Sequence, residues 1–350
     1  MRRLCLACAL AAIAMLGSLS MARQASVGGP YKILKTVKVG GEGGFDYVFA
    51  DVAGRRLYIP RREPNPRITV FDLDTLEPVG EVANVSAHGA IADPLTNHGF
   101  ATSKPVAMFD TKTLSLIKTI EVQGNPDGIF FDAFAHRVYD LSHAAPNATV
   151  LETKDGSVAG TIDLGGAPEQ AVGDGKGHVY IDVEDKGAIA VVDAKTLMVT
   201  GRYDLAGKGG TCAGLAMDTK NRILFATCRD PQNMVILNAD SGNLITALPI
   251  GKATDGAAFN PSTMEAFSSN SDGTLSVIKE NSPTSFVVEQ NLETMPSAKT
   301  MAFDSKTNHI FLIAASFESV PASSPQTLGA GRIARGAMIP GSFSILVVGK

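Results

Sequence analysis

Short apolar runs, each followed by a polar turn, succeed one another along the chain from residue 31 to its end. One unit of about 42 residues contains four such runs, separated by turn sequences rich in Asp, Gly and Lys, at 171–172, 178–183, 188–192 and 197–205. Strands that are buried on both faces are apolar at most positions and do not alternate. Long helical periodicity is nearly absent. The pattern therefore predicts an all-β chain of four-stranded antiparallel units.

An aspartate or asparagine followed by an aromatic residue marks every unit. The spacing within a pair is seven residues, or six in the fourth pair, and the pairs recur every 39 to 44 residues. The seven pairs are Asp51/Tyr58, Asp93/Phe100, Asp132/Tyr139, Asp174/Tyr180, Asp218/Phe225, Asn260/Phe267 and Asp304/Phe311. A period of this length is typical of propeller blades. We therefore predict a seven-bladed β-propeller.

The last unit lacks a fourth strand, because the chain ends shortly after its third, at 343–348. Residues 31–39 match a fourth strand elsewhere, at 114–122. An N-terminal strand that completes the last blade would remove the open edges of an incomplete ring. We expect residues 23–350 to form one propeller domain closed in this way.

The first 22 residues have the pattern of a signal peptide. Arg2 and Arg3 precede an uncharged, mainly apolar stretch, and Ser20-Met21-Ala22 fits a cleavage site. We expect cleavage after Ala22 and a periplasmic or secreted protein. Loss of Arg2 and Arg3 reduces the 31 basic residues to 29, against 35 acidic ones, a formal net charge of −6. This charge and the lack of basic runs argue against nucleic-acid binding.

No later segment is long and apolar enough to span a membrane, and we expect a monomer. Cleavage would leave Cys212 and Cys228. If 212–218 and 222–228 form a hairpin, the two cysteines face each other in an oxidising compartment, where they form either a disulfide or two buried thiols. Neither cysteine has the spacing of a metal, redox or haem motif.

Three repeat segments carry a resemblance to a known family. Arg-Leu-Tyr-Ile (56–59), Ile-Thr-Val-Phe-Asp (68–72) and Thr-Ile-Glu-Val (119–122) resemble YVTN-type, YncE-like propellers of exported bacterial proteins. The tyrosine-valine-threonine-asparagine core is degenerate, with Tyr58-Ile59-Pro60-Arg61 as its nearest match. Members differ in role, so the resemblance implies an exported propeller and no particular activity.

The sequence lacks the binding or catalytic motifs of several cofactors and enzyme classes. Related propellers hold haem or amine-oxidising quinones, but this chain has no haem motif and no tryptophan from which such a quinone is made. It also lacks a P-loop, a dinucleotide fingerprint, G-x-S-x-G and H-E-x-x-H. We expect no haem, nucleotide or tryptophan-derived quinone, and leave a divalent cation as a possible cofactor.

The residue five positions before each repeat Asp or Asn is acidic, basic or apolar, depending on the unit. It enters the innermost strand and is ionisable in six of seven blades, in the order Asp46, His88, Asp127, Glu169, Ala213, Asp255 and Lys299. We expect these side chains to ring the mouth of the central channel, with the six ionisable ones as candidate ligand-binding residues. His88, Asp127, Glu169 and Asp255 are candidate ligands of a divalent cation, and His88 and Lys299 are candidate catalytic residues. The alternative is a hydrated polar channel with solvated charges.

A long insertion at 316–342 separates the second and third strands of the last blade. Of its 27 residues, 16 are Gly, Ala, Ser or Pro, and it carries Arg332 and Arg335. Such loops are functional or disordered, so it is either a lid on the mouth or a surface excursion. Five residues of equivalent loops share that face, either to bind an anion or as solvated groups: Arg61, Arg62, Arg67, His143 and Arg229.

Three functions fit these residues. The first is an exported binding protein that captures a small ligand, a cation or a protein segment at the channel mouth. The second is a metal-assisted hydrolase or lyase that uses the Asp/His/Glu/Lys ring. The third is a structural envelope protein without a small-molecule site. Partners would accordingly be a small molecule, a cation or an envelope protein.

Overall fold

The computed structural model describes residues 28–321 and 324–350. Over these residues, 28 strands form seven separate four-stranded antiparallel sheets. The predicted signal peptide, residues 1–22, lies outside them. The prediction of a seven-bladed propeller is confirmed.

The N-terminal strand and the first three blades use thirteen strands. These are β1 (Lys32–Lys38); β2 (Phe49–Asp51), β3 (Arg56–Arg61), β4 (Arg67–Asp72) and β5 (Pro78–Ala83) of blade one; β6 (Ala90–Asp93), β7 (His98–Ala101), β8 (Val106–Asp110) and β9 (Leu116–Ile120) of blade two; and β10 (Pro126–Asp132), β11 (Arg137–Ser142), β12 (Ala148–Glu152) and β13 (Val158–Ile162) of blade three.

The last four blades contain the remaining strands. These are β14 (Pro168–Gly173), β15 (His178–Val183), β16 (Ala188–Asp193) and β17 (Val199–Asp204) of blade four; β18 (Cys212–Asp218), β19 (Ile223–Arg229), β20 (Gln232–Asn238) and β21 (Leu244–Pro249) of blade five; β22 (Thr254–Asn260), β23 (Glu265–Asn270), β24 (Thr274–Ser282) and β25 (Ser285–Glu293) of blade six; and β26 (Met301–Asp304), β27 (His309–Ala314) and β28 (Ser344–Gly349) of blade seven. Short 3₁₀ turns occur at Glu184–Lys186 and Gly329–Gly331.

The N-terminal strand closes the ring, as predicted. Strand β1 pairs antiparallel with β28, from Lys32 opposite Gly349 to Lys38 opposite Ser344, and blade seven has the order β26-β27-β28-β1. The side chains of Tyr31 and Lys350 both bind Glu265 of blade six, the lysine at 2.8 Å. The first and last parts of the propeller are therefore both fixed to the neighbouring blade.

The core lies between blades. All seven repeat aromatics are almost fully buried, with at most 2% of their surface exposed. The repeat aspartates accept hydrogen bonds from the backbone of the turns that follow them, as Asp93 does from Leu95 and Asp218 from Lys220, both at 2.9 Å. These repeat pairs are explained by turn formation and packing.

Among the described residues, no helix has the length and apolar character needed to cross a bilayer. Cys212 and Cys228 lie opposite each other on β18 and β19 and form a disulfide. The bridge joins the two inner strands of blade five directly before Arg229, the last residue of β19.

Candidate functional site

The seven ring positions stand where the innermost strands begin. Asp127, Glu169 and Asp255 are the second residues of β10, β14 and β22, while Asp46 and Lys299 precede β2 and β26 by two or three positions. His88 precedes β6 in the same way, and Ala213 is the second residue of β18. The repeat thus delivers one side chain per blade to the same end of the ring.

A chain of contacts joins five of these side chains across five blades. Lys299 Nζ binds Asp46 Oδ1 at 2.7 Å and also forms an ion pair with Asp255. His88 Nδ1 lies 2.9 Å from Asp46 Oδ2 and 2.8 Å from Asp127 Oδ1. The ring residues of blades six, seven, one, two and three are therefore one hydrogen-bonded and ion-paired series.

Blade five contributes to the ring through Arg229, because its own ring position is the apolar Ala213. The guanidinium of Arg229, 3% exposed, forms ion pairs with Asp255 of blade six and Glu184 of blade four and donates to the carbonyl of Thr254 at 2.9 Å. Sequence reasoning placed Arg229 on this face but did not assign it to the ring. In the sequence, the apolar Ala213 at a position that is ionisable in the other six units indicates that a different side chain supplies the charge in blade five.

Glu169 and Asp127 meet a histidine that lies outside the repeat position. His143, in the turn between β11 and β12, places Nε2 3.0 Å from Asp127 Oδ2 and 3.6 Å from Glu169 Oε1. Tyr47, directly after Asp46, donates its hydroxyl to Glu169 Oε2 at 2.9 Å. Four other blades have glycine where blade one has Tyr47. This large polar side chain at a position that is usually glycine was the sequence feature that could have identified Tyr47.

Two groups of side chains have the spacing of metal ligands. One is Asp46, His88 and Asp127, and the other is Asp127, His143 and Glu169, each with one donor atom per residue and all donors within 4.8 Å of one another. Asp255 lies outside both groups, because its two oxygens pair with Arg229 and Lys299. The chemistry available here is cation binding by carboxylate and imidazole.

The pKa values of the side chains around the channel mouth follow from burial and from these contacts. The hydrogen bonds that His88 donates to the carboxylates of Asp127 and Asp46 raise the pKa of His88 to about 9. Burial raises the pKa of Asp46, but the charge of Lys299 and the His88 hydrogen bond outweigh it and hold that pKa below its usual range. Burial, together with the charges of Asp255 and Asp127, raises the pKa of Glu169 well above its usual value.

Two further carboxyl groups lie near the mouth and were not singled out from the sequence. Asp140 in β11 is 1% exposed, and neither of its oxygens has a hydrogen-bond partner among the described residues. Burial, aided by the charge of Asp127, raises its pKa to about 8. Asp182 accepts backbone hydrogen bonds from Glu169 and Gln170 at 3.3 and 2.6 Å, and burial raises its pKa to about 8.

A cavity of about 530 Å³ opens beside the ring, between blade one and the 316–342 insertion. Asp46 and Lys299 form its inner end, Arg62 and Arg335 line it, and Glu42 and Glu63 lie at its exposed rim. Its apolar lining consists of Phe45, Pro64, Phe317, Met338 and Pro340. The insertion thus supplies part of the cavity wall, and its Arg332 lies 3.4 Å from Glu169 Oε1.

The remaining arginines of this face have structural contacts. Arg61, 1% exposed, donates to the carbonyls of Gly40 and Gly43 and lies 3.8 Å over the ring of Phe343. Arg67 donates to the carbonyls of Glu42 and Asn65. These two side chains hold the segment that forms one edge of the cavity. The other histidines lie in or beside the first hairpin turns of four blades, away from the mouth: His98, His136, His178 and His309.

Comparison with known proteins supports the fold alone. The chain is similar to a chain of the mitotic checkpoint complex (TM-score 0.68, 10% identity, covering 89% of this chain and 96% of that one) and to U3-55K (TM-score 0.68, 9% identity, covering 91% and 98%). It is also similar to a chain of hydrazine synthase from Kuenenia stuttgartiensis (TM-score 0.66, 13% identity, covering 79% and 94%). No protein-family model matches the chain, and no curated protein does. The propeller is a fold that commonly serves binding, and these identities indicate nothing more specific.

Proposed function

We propose that this protein is an exported binding protein that captures a small, partly apolar anion in the cavity beside the channel mouth. The observation that carries the proposal is the pair of arginines in that cavity. Arg62 contacts the imidazole of His88 and Arg335 donates to Ser271, and neither guanidinium forms a salt bridge within the described part of the chain. A guanidinium without a carboxylate partner is suited to bind a carboxylate or phosphate.

The rest of the lining defines the other half of the ligand. Phe45, Phe317 and Met338 give the cavity apolar walls, and Arg335 itself lies 5.1 Å over the ring of Phe317. Burial lowers the pKa of Arg335, and the ring carboxylates of Asp255 and Asp46 oppose that effect. A volume of about 530 Å³ lies in the range of small-molecule sites. An aromatic or aliphatic acid would match both the charge and the walls.

Membership of the YVTN-type propellers and export to the periplasm or medium belong to this proposal. They are supported by the repeat segments at 56–59, 68–72 and 119–122 and by the N-terminal pattern through Ala22. Mass spectrometry of the protein recovered from its native compartment tests export, with Arg23 as the expected first residue. An intact N-terminus in the cytosolic fraction alone would contradict it.

One observation favours a second function, a metal-assisted hydrolase or lyase. One group of potential metal ligands, Asp46, His88 and Asp127, reaches the cavity, since Asp46 also forms its inner end, and the other group shares Asp127 with it. An ion bound at this end of the ring would stand near a captured substrate, with His88 and Lys299 as candidate catalytic groups. Turnover of an ester or phosphoester panel that disappears in the Asp127→Asn variant would support the enzyme, and no turnover with any metal added would count against it.

Titration calorimetry with phenyl phosphate, benzoate and inorganic phosphate tests the binding proposal. We expect phenyl phosphate or benzoate to bind more tightly than inorganic phosphate, because only the aromatic probes use the apolar walls. Arg62→Gln and Arg335→Gln should each weaken binding at least tenfold. Lys154→Gln removes the same charge from an exposed turn of blade three and is the matched control. Equal affinity in the Arg335→Gln and wild-type proteins would contradict the proposal.

A further inference from the structure

The imidazole of His143 has an unused nitrogen that faces two carboxylates. Its Nε2 atom is buried and has no hydrogen-bond partner among the described residues. It nevertheless lies 3.0 Å from Asp127 Oδ2 and 3.6 Å from Glu169 Oε1. A buried nitrogen without a partner costs free energy unless another group occupies the direction of its lone pair or proton.

Each of the two carboxylates has one oxygen engaged and the other turned toward His143. Tyr47 donates to Glu169 Oε2 at 2.9 Å, which leaves Oε1 facing the imidazole and the half-exposed guanidinium of Arg332. His88 Nδ1 lies 2.8 Å from Asp127 Oδ1, which leaves Oδ2 facing the same nitrogen. Proteins orient a metal-binding carboxylate by a hydrogen bond to the oxygen that does not bind the metal.

We propose that Asp127 Oδ2, His143 Nε2 and Glu169 Oε1 bind one divalent ion of the Zn²⁺ class. The three donors lie within 4.8 Å of one another. Adjacent ligands of a Zn²⁺ ion with bonds of about 2.0–2.2 Å are roughly 3–3.6 Å apart. Mixed imidazole and carboxylate donors favour Zn²⁺ or a neighbouring transition metal over Ca²⁺, which prefers oxygen alone.

The second group, Asp46, His88 and Asp127, holds the first group in place. His88 Nδ1 is shared between Asp46 and Asp127, and Asp46 is also paired with Lys299. Arg62 Nη1 lies 3.0 Å from the other nitrogen of His88. Because its donors are already engaged with cations and with each other, this group orients Asp127 and takes no ion.

One cation from the insertion competes for the site. Arg332 Nη2 lies 3.4 Å from Glu169 Oε1 and 3.8 Å from Glu184 Oε2. Its side chain is 51% exposed, so it can withdraw into solvent at little cost. Metal binding therefore exchanges this guanidinium for the ion at Glu169, and removal of Arg332 should tighten the metal.

Calorimetric titration of EDTA-treated full-length protein with Zn²⁺ tests the proposal. We expect one ion per chain, with an affinity at least tenfold weaker in His143→Gln and in Glu169→Gln and higher in Arg332→Gln. His136→Asn is the matched control, because His136 is exposed on another face at a positive φ that asparagine tolerates. It should bind as wild type does.

Circular dichroism shows whether each variant is folded. A Zn²⁺-induced rise in the Tm of the wild type detects binding by a second method. Absence of Zn²⁺ binding by wild type, unchanged affinity in His143→Gln, or loss in His136→Asn alone would each overturn the proposal. The outcome is separable from that of the proposed anion site, which is tested through Arg62 and Arg335. Neither arginine is a ligand of the ion.

Discussion

Arg229 and Asp255 form an ion pair between blades five and six, and with it Arg229 fills the ring position that Ala213 leaves without charge. The same guanidinium pairs with Glu184 of blade four. A series of ion pairs therefore runs from blade four through five, six and seven to blade one. The mouth is a single electrostatic unit, and the removal of one cation should affect its neighbours.

Replacement of Arg229 by methionine should destabilise the protein strongly. It leaves one oxygen of Asp255, whose other oxygen pairs with Lys299, and the Oε1 atom of Glu184 without their buried cation, a loss of about 3–5 kcal/mol for a broken buried pair. Urea unfolding measures the free energy change. The double variant Arg229→Met/Asp255→Asn should recover part of the loss, because it also removes one of the two carboxylates that Arg229 no longer neutralises. An Arg229→Met protein as stable as wild type would show that the pair is solvated.

Replacement of Asp140 by asparagine should change how stability depends on pH. The pKa of Asp140 is raised to about 8 in the folded protein, above its unfolded value of about 3.9. Its contribution to stability is therefore fully present below about pH 4 and is lost as pH rises through 8. Asp140→Asn should remove this loss and be more stable than wild type at pH 8.5, by roughly 1–3 kcal/mol.

Tm measured between pH 4.5 and 8.5 in the presence of EDTA checks this expectation. The exposed Asp155→Asn variant is the control for charge. Parallel Tm profiles of wild type and Asp140→Asn would contradict the account of this carboxyl group.

Replacement of Tyr31 by phenylalanine should loosen the closure of the ring. The Tyr31 hydroxyl donates to the carboxylate of Glu265, where Lys350 also binds, and burial raises its pKa above the usual range. Loss of a hydrogen bond to a charged group costs about 1.5–3 kcal/mol. Hydrogen exchange should become faster in β1 and β28 before other strands.

Tyr139→Phe is the matched control for Tyr31→Phe. The Tyr139 hydroxyl is buried without a hydrogen-bond partner among the described residues, so its removal should be neutral or stabilising. If both variants lose equal stability, the hydroxyl of Tyr31 has no special role in closure.

The sequence predicts the strands and the ring positions because both repeat. In blade four, the predicted strand at 178–183 has the same bounds in the structure, and counting five residues back from each Asp or Asn locates side chains that meet at the mouth. The contributions of Tyr47, His143 and Arg229 follow from no repeat. They depend on which loop or strand side chain reaches a carboxylate at the mouth, a property of the folded ring that spacing along the chain does not encode.

The central claim is the proposed anion site between blade one and the 316–342 insertion, and phenyl phosphate binding tests it most directly. Titration of the Arg62→Gln/Arg335→Gln variant is compared with that of Lys154→Gln/Lys176→Gln, which loses the same charge from exposed turns. The account predicts micromolar to millimolar binding that is abolished in the arginine variant and kept in the lysine variant. Equal binding by the two variants, or no binding by wild type, would contradict it.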